Sequence, residues 1–122
     1  AQLSEVAQPL WTLEKRPRGG DLPAEEAARV IPQADIVAIT GSTFVNQSID
    51  DLLALCKPGT RVVILGPSTP LAPVLFNEGI SLLSTTYVTD EAATLESIRN
   101  GGSYYSFTGI RRITLIKPEE IV

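Results

Sequence analysis

Apolar and polar positions along this chain fall into short blocks whose period keeps changing. Val62, Val63, Ile64 and Leu65 form a continuous apolar run, the pattern of a strand in a parallel sheet covered on both faces, and positions 35–40 (DIVAIT) repeat it. Ile49, Leu52, Leu53 and Cys56 instead recur at three- and four-residue spacing, which predicts a helix with one apolar face, capped by Asn46 or Ser48 and stopped by Lys57-Pro58-Gly59. Further strand patterns lie at 10–13, ending at Glu14, and at 80–83, extending through Ser84-Thr85-Thr86 to Val88. The last is at 112–116, where the RITLI alternation suits a sheet edge with one wetter face.

Helix patterns fill the intervals. One runs from Asp21 and the acidic pair Glu25, Glu26 to about Ile31, with Pro32 ending it. A short one over 71–78 starts at Pro70, with Ser68 or Thr69 as its N-cap and Gly79 as its C-terminal cap. Another is capped by Asp90, carries Ala93, Leu95 and Ile98, and ends at Gly101-Gly102. Strand and helix thus alternate with short connections, the arrangement of right-handed βαβ crossovers. The expected fold is α/β, a three-layer open and mostly parallel Rossmann-like sheet; a closed eight-fold barrel would need about twice this length. Leu3, Val6 and Ala7 read as the tail of a helix with no strand before it, so the sheet in this chain is expected to lack its first strand and the phosphate-type loop that follows it.

Length and charge narrow the function classes. A chain of 122 residues with 43% hydrophobic content makes one domain, residues 1–122, able to bury roughly two thirds of the surface its unfolded form exposes. The formal charge is −4 and the ten Lys and Arg are scattered apart from Lys15, Arg16 and Arg18. A nucleic-acid footprint needs a dense basic face, so that partner is set aside and the small group reads as a solvated loop. No apolar run approaches the ~18 residues of a membrane span, and no basic region followed by an apolar one opens the chain, so neither a membrane nor a signal peptide is expected. A single cysteine, Cys56, fits a reducing, cytoplasmic setting and reads as a small core residue. Histidine is absent, which removes Ser-His-Asp triads and His-ligated zinc.

Open α/β sheets bind ligands at the carboxyl ends of their strands, near a switch in strand order. Those ends here are Glu14, Thr40-Gly41-Ser42-Thr43, Gly66-Pro67-Ser68-Thr69 and Ser84-Thr85-Thr86, a small, polar, hydroxyl-rich set. Helix starts at two of these turns would favour an anion. Glu14, as the end of a second strand, would accept hydrogen bonds from ribose hydroxyls in a dinucleotide fold, yet no G-x-G-x-x-G is present. As an exposed strand end it would equally pair with Lys15 or Arg16. Asp50 and Asp51 sit in a first helical turn, where the dipole accounts for them, and Glu119 and Glu120 are in the terminal tail. Tyr104 and Tyr105 are expected to pack the last turn.

The stretches LWTLEKRPRGGDLPAEEA, ADIVAITGST, VVILGPSTPLAPVLFNEGI and GGSYYSFTGIRRITLIK, in that order, resemble the Rossmann-like C-terminal domain of a family of unknown function that carries the label "putative heavy-metal chelation". GPSTPLAP is the most specific of them. The resemblance implies a partner domain similar to the enolase N-terminal domain in front of this one, with a site in the cleft between the two. It places Glu14, Thr40, Gly41, Ser42, Gly66, Pro67, Ser68 and Thr69 at that cleft. Soft and transition metals want thiolate and imidazole ligands, which this chain barely supplies, so a metal would need Glu14, hydroxyls and carbonyls here together with ligands from the partner domain or a bound small-molecule chelator. Binding or making a chelating small molecule suits these residues better than gripping a bare ion. The expected function is therefore a small-ligand domain of a metal-chelation protein. A nucleotide- or S-adenosylmethionine-dependent transferase, and a non-enzymatic scaffold for a metal-cofactor pathway, are the alternatives. The cofactor, a metal ion or a nucleotide-like ligand, is left open, as is homo-oligomer formation.

Overall fold

The computed structural model describes residues 3–118. Its centre is a four-stranded sheet built from β3 (Ile36–Thr40), β4 (Arg61–Leu65), β5 (Ile80–Val88) and β6 (Ile110–Ile116), in that spatial order. β3, β4 and β5 run parallel and β6 pairs antiparallel with β5, from Leu82↔Ile116 to Val88↔Ile110. The sheet is mostly parallel with helices on both sides, the Rossmann-like α/β arrangement that the alternating pattern predicts. The strands follow chain order, so no reversal of strand order occurs within this sheet among the described residues.

Period-two alternation decides which side chains go inside. Val37 and Ile39 of β3, Val62 and Ile64 of β4 and Leu83 of β5 are buried in one cluster with Ile31 and with Ile49 of helix α4 (Ile49–Leu55). Leu52, Leu53 and Cys56 pack against it, the helical face expected from their spacing. Ile64 and Leu83 are fully buried, and each such side chain contributes about 1.5–3 kcal/mol of transfer free energy. The other face of β3 and β4 is more open: Ile36 is 65% exposed and Leu65 43%. Further along the sheet, the turn after helix α5 (Glu91–Arg99) brings the Tyr104 hydroxyl into hydrogen-bond contact with Thr86 Oγ1, and Arg112 lies over the Tyr104 ring. Tyr104 packs as expected, while Tyr105 is largely exposed. The Asp90 cap is present, with Ala93 N–H donating to Asp90 Oδ1 at 3.0 Å.

Several elements differ from the sequence expectation. The first strand, β1, is only Leu13–Glu14, and it pairs in parallel with β2 (Leu22–Pro23) in a separate two-stranded sheet. β2 escapes a pattern search because it is two residues long and half of it is proline. The short helix at Leu3–Val6 (α1) matches the helix tail expected there. The helix expected to reach Ile31 is broken into a 3₁₀ turn (Ala24–Glu26), a single α-turn, α2 (Ala27–Val30), and a second 3₁₀ turn (Ile31–Gln33) that contains Pro32. No helix starts at Pro70; a 3₁₀ helix runs from Pro73 to Glu78 instead, with Ala72 before it in extended backbone. A proline biases the residue preceding it away from helical backbone, so the closely spaced prolines hold the chain extended until the last of them can occupy a first-turn position. Gly79 ends this turn in the left-handed region at φ +84°, as expected. The strand extends through Ser84, Thr85 and Thr86 to Val88 as its pattern predicts, so these three are not the strand end also expected of them. They lie inside β5, because β6 extends the pairing out to Val88. Glu119 and Glu120 lie outside the described residues.

Candidate functional site

β3 and β4 end in register, Thr40 opposite Leu65, so the turns that follow leave the sheet side by side. Gly41 N–H donates to Leu65 O at 2.7 Å and locks the first turn onto the second strand. The two turns then meet at Gly41. A methyl group in place of its hydrogen would lie less than 3.0 Å from Thr69 N and Ser68 C, and 2.7 Å from Thr69 Oγ1. Only glycine allows this approach of one backbone to the other. On the other side, Gly66 takes φ +109° and Thr69 N–H closes the turn onto Gly66 O at 3.1 Å. Gly66 is therefore required by its backbone angle and Gly41 by its neighbour.

The hydroxyls at this edge have different fates. Thr43, in the short helix α3 (Ser42–Val45), is buried, and its hydroxyl donates to Thr40 O at 2.8 Å. Thr40 Oγ1 and Ser42 Oγ lie 3.1 Å apart and face solvent, as do Pro67 and Ser68. Thr69 is 4% exposed, and its Oγ1 is buried without a hydrogen-bond partner among the described residues. A buried hydroxyl in that state costs free energy unless something else supplies the bond. Neither Ser68 nor Thr69 caps a helix, because the next one starts only at Pro73. The structure thus brings Thr40, Gly41, Ser42, Thr43, Gly66, Pro67, Ser68 and Thr69 to one edge.

Glu14, the last residue of β1, lines a different feature. With Arg16, Arg18 and Asp21 it surrounds an open hollow of about 290 Å³. Arg16 and Arg18 of the basic group line this hollow, and residues 15–20 are all exposed, the solvated loop that the sequence predicts. The signal for it was the spacing of Arg18 and Asp21 around Gly19-Gly20, which is turn chemistry. A second hollow of about 290 Å³ lies at the opposite end of β4, beside Cys56, Thr60 and Val62. There the Cys56 thiol donates to Leu52 O at 3.6 Å, and burial pushes its pKa up, which favours the protonated thiol. Nearby, Lys57 donates to Asp35 at 2.7 Å and holds that carboxyl below its ordinary range, through the hydrogen bond first and the charge second. Among the described residues no three His, Cys, Asp or Glu side chains gather closely enough to hold a metal ion, and no helix is long and apolar enough to cross a membrane.

Known proteins agree on the fold and on little else. The chain is 30% identical to a solved protein of unknown function from the DUF364 family of Desulfitobacterium hafniense DCB-2. That likeness covers 95% of this chain and 49% of the other, with a TM-score of 0.81. A DUF364 protein of unknown function from Pyrococcus horikoshii superposes with a TM-score of 0.78 at 20% identity, over 88% of this chain and 46% of its own, which speaks for the fold alone. An uncharacterized protein of Methanocaldococcus jannaschii, MJ0500, is 29% identical over 82 residues, 66% of this chain and 32% of its own length. The chain thus spans about half of each solved relative and about a third of the curated one. The profile of DUF364, described as "Putative heavy-metal chelation", matches residues 1–117, and the chain belongs to that family.

Proposed function

We propose that this chain supplies the small-ligand site of a heavy-metal chelation protein. It binds a polar or anionic metabolite that itself chelates the metal, at the edge formed by Thr40 to Thr43 and Gly66 to Thr69. The observation that carries this reading is Thr69: a buried hydroxyl with no hydrogen-bond partner among the described residues, at the point where Gly41 lets two turns touch. Thr40 Oγ1, Ser42 Oγ and the exposed Ser68 beside it are neutral donors suited to carboxylate or phosphate oxygens.

A bare heavy-metal ion does not fit these residues. Soft metals select thiolate and imidazole, and the sequence has one cysteine and no histidine; the Cys56 thiol is held protonated at the far end of β4. The ion is accordingly the cargo of the ligand. The open face of β3 and β4, where Ile36 and Leu65 are exposed, and the half-length match to the solved relatives support a further part of this reading. A second domain, similar to the enolase N-terminal domain, completes the cleft.

The test is calorimetric titration of the intact protein with nickel(II) alone, citrate alone and the preformed nickel–citrate complex. The expected result is that citrate-containing probes bind and that Ser42→Ala and Thr69→Val each weaken them. Tight binding of nickel alone, unchanged in both variants, would overturn the proposal.

A further inference from the structure

We infer that Arg112 is the cationic wall of the hydroxyl edge, a step that rests on the small-ligand reading of that edge and names the class of ligand. The ligand carries at least two acidic groups, one held by the turns after β3 and β4 and another by the Arg112 guanidinium.

Both turns leave the sheet toward its core face. Phe44 of α3, and Leu75 and Phe76 of the 3₁₀ helix at Pro73–Glu78, pack against the cluster that holds Ile39, Ile64 and Leu83. The opposite face of the edge is left open. Thr40 and Leu65, each one residue on from a buried strand neighbour, point to that face and are exposed.

The strands beside this opening run further. Ile64 pairs with Leu83, one residue before β4 ends, whereas β5 continues to Val88 against β6. Thr86 and its partner Arg112 therefore lie beyond the ends of β3 and β4, level with the turns. Leu83 and Thr85 are buried, so the alternation turns Ser84 and Thr86 to the open face, where Ser84 Oγ meets Thr114 Oγ1 at 3.2 Å. Arg112, opposite Thr86, shares that face with Thr40 and Leu65.

Its side chain is held in place. The Tyr104 hydroxyl is in hydrogen-bond contact with Thr86 Oγ1, the Tyr104 ring meets Phe107 edge-on with centroids 6.2 Å apart, and Arg112 Cζ lies over that ring at 5.9 Å from its centroid. A guanidinium held against a ring still presents a fork of N–H donors, which binds a carboxylate in a planar, two-bond geometry. Two strand spacings, about 10 Å, separate β6 from β4. The Arg112 side chain and a ligand of citrate's size close that gap together, and a monocarboxylate cannot reach both ends. Neutral hydroxyls at one end and a guanidinium at the other thus select a polyanion.

Calorimetric titration of the intact protein with citrate and with acetate tests the wall. Citrate is expected to bind, with acetate at least about tenfold weaker, and Arg112→Gln should weaken citrate by about tenfold or more, the worth of a charged hydrogen-bonded contact. Arg111→Gln removes the same charge from the other face of β6, opposite Tyr87, and should change citrate affinity by no more than about twofold. Arg112→Lys keeps the charge without the fork and should stay well below the wild type. In the unmutated protein the Arg112 Nε–H NMR signal should shift as citrate is added. Citrate binding that falls in Thr69→Val and Ser42→Ala but survives intact in Arg112→Gln would overturn the wall and leave the hydroxyl-edge reading standing. Equal losses in Arg111→Gln and Arg112→Gln would overturn it as well, because they would report long-range charge and not a contact. No citrate binding by the unmutated protein would overturn both.

Discussion

Replacing Thr69 by valine separates the cost of an unpaired hydroxyl from the cost of a lost side chain. The two residues have nearly the same shape, and the change turns a buried oxygen into a methyl group. Thr69 Oγ1 is buried with no hydrogen-bond partner among the described residues, and a buried hydroxyl left unpaired costs about 1–3 kcal/mol. Thr69→Val is therefore expected to stabilise the intact protein by about 1 kcal/mol, a rise in Tm of roughly 3–6 °C for a domain of this size. Thr69→Ser keeps the hydroxyl and deletes the methyl, and should be destabilised by about 1 kcal/mol. Urea and thermal unfolding followed by circular dichroism measure both. The same valine variant should bind the nickel–citrate probe more weakly, so stability and binding move in opposite directions, as expected where a strained group is kept for function. A valine variant that loses 1 kcal/mol or more would show that the hydroxyl makes a hydrogen bond in the folded protein and would remove the observation on which the proposed site rests.

Three further outcomes follow from the geometry. Gly41→Ala puts a methyl group against Thr69 N and Ser68 C, both backbone atoms, and should cost about 2–3 kcal/mol in urea unfolding; a cost under 0.5 kcal/mol would mean that the two turns separate freely. Asp35 has its folded-state pKa held below 3.8 by Lys57, so its contribution is fully present above 3.8 and is lost as pH falls through the depressed value. Asp35→Asn should flatten that part of the stability–pH curve, and about 1 M salt should have much the same effect because the pair is exposed; an unchanged acid limb in the variant would refute the assignment. The Cys56 thiol, with its pKa raised by burial, should be alkylated by iodoacetamide more slowly than a free thiol at neutral pH, and the gap should close as pH rises or urea unfolds the chain; a rate equal to that of glutathione would contradict it.

The sequence by itself determined the four strands of the main sheet and their class. The runs in positions 35–40 and 61–65 are apolar enough to be buried, and each ends in glycine and small polar residues, so strand, turn and edge chemistry were readable within a few residues of one another. The Asp90 cap, the left-handed Gly79 and the edge character of the last strand are equally local, each written in one residue type at one position. The helix expected at Pro70 failed because several prolines competed for one helix start, and composition does not say which of them wins. The extension of the 80–83 strand to Val88 was readable too, and it puts Ser84 to Thr86 inside the strand; that they are paired there and not at a ligand edge depends on β6, some thirty residues away. What only the tertiary structure decided is which turns touch. The contact of Gly41 with Ser68 and Thr69 follows from the register that sets Thr40 opposite Leu65, and register is fixed by packing across the sheet and not by the residues of either turn. The grouping of Arg16 and Arg18 with Glu14 and Asp21 likewise needs the β1–β2 pairing to fold the loop back on itself. Local patterns carry backbone conformation because its preferences act between near neighbours; a site assembled from separate turns exists only once the core has brought them together.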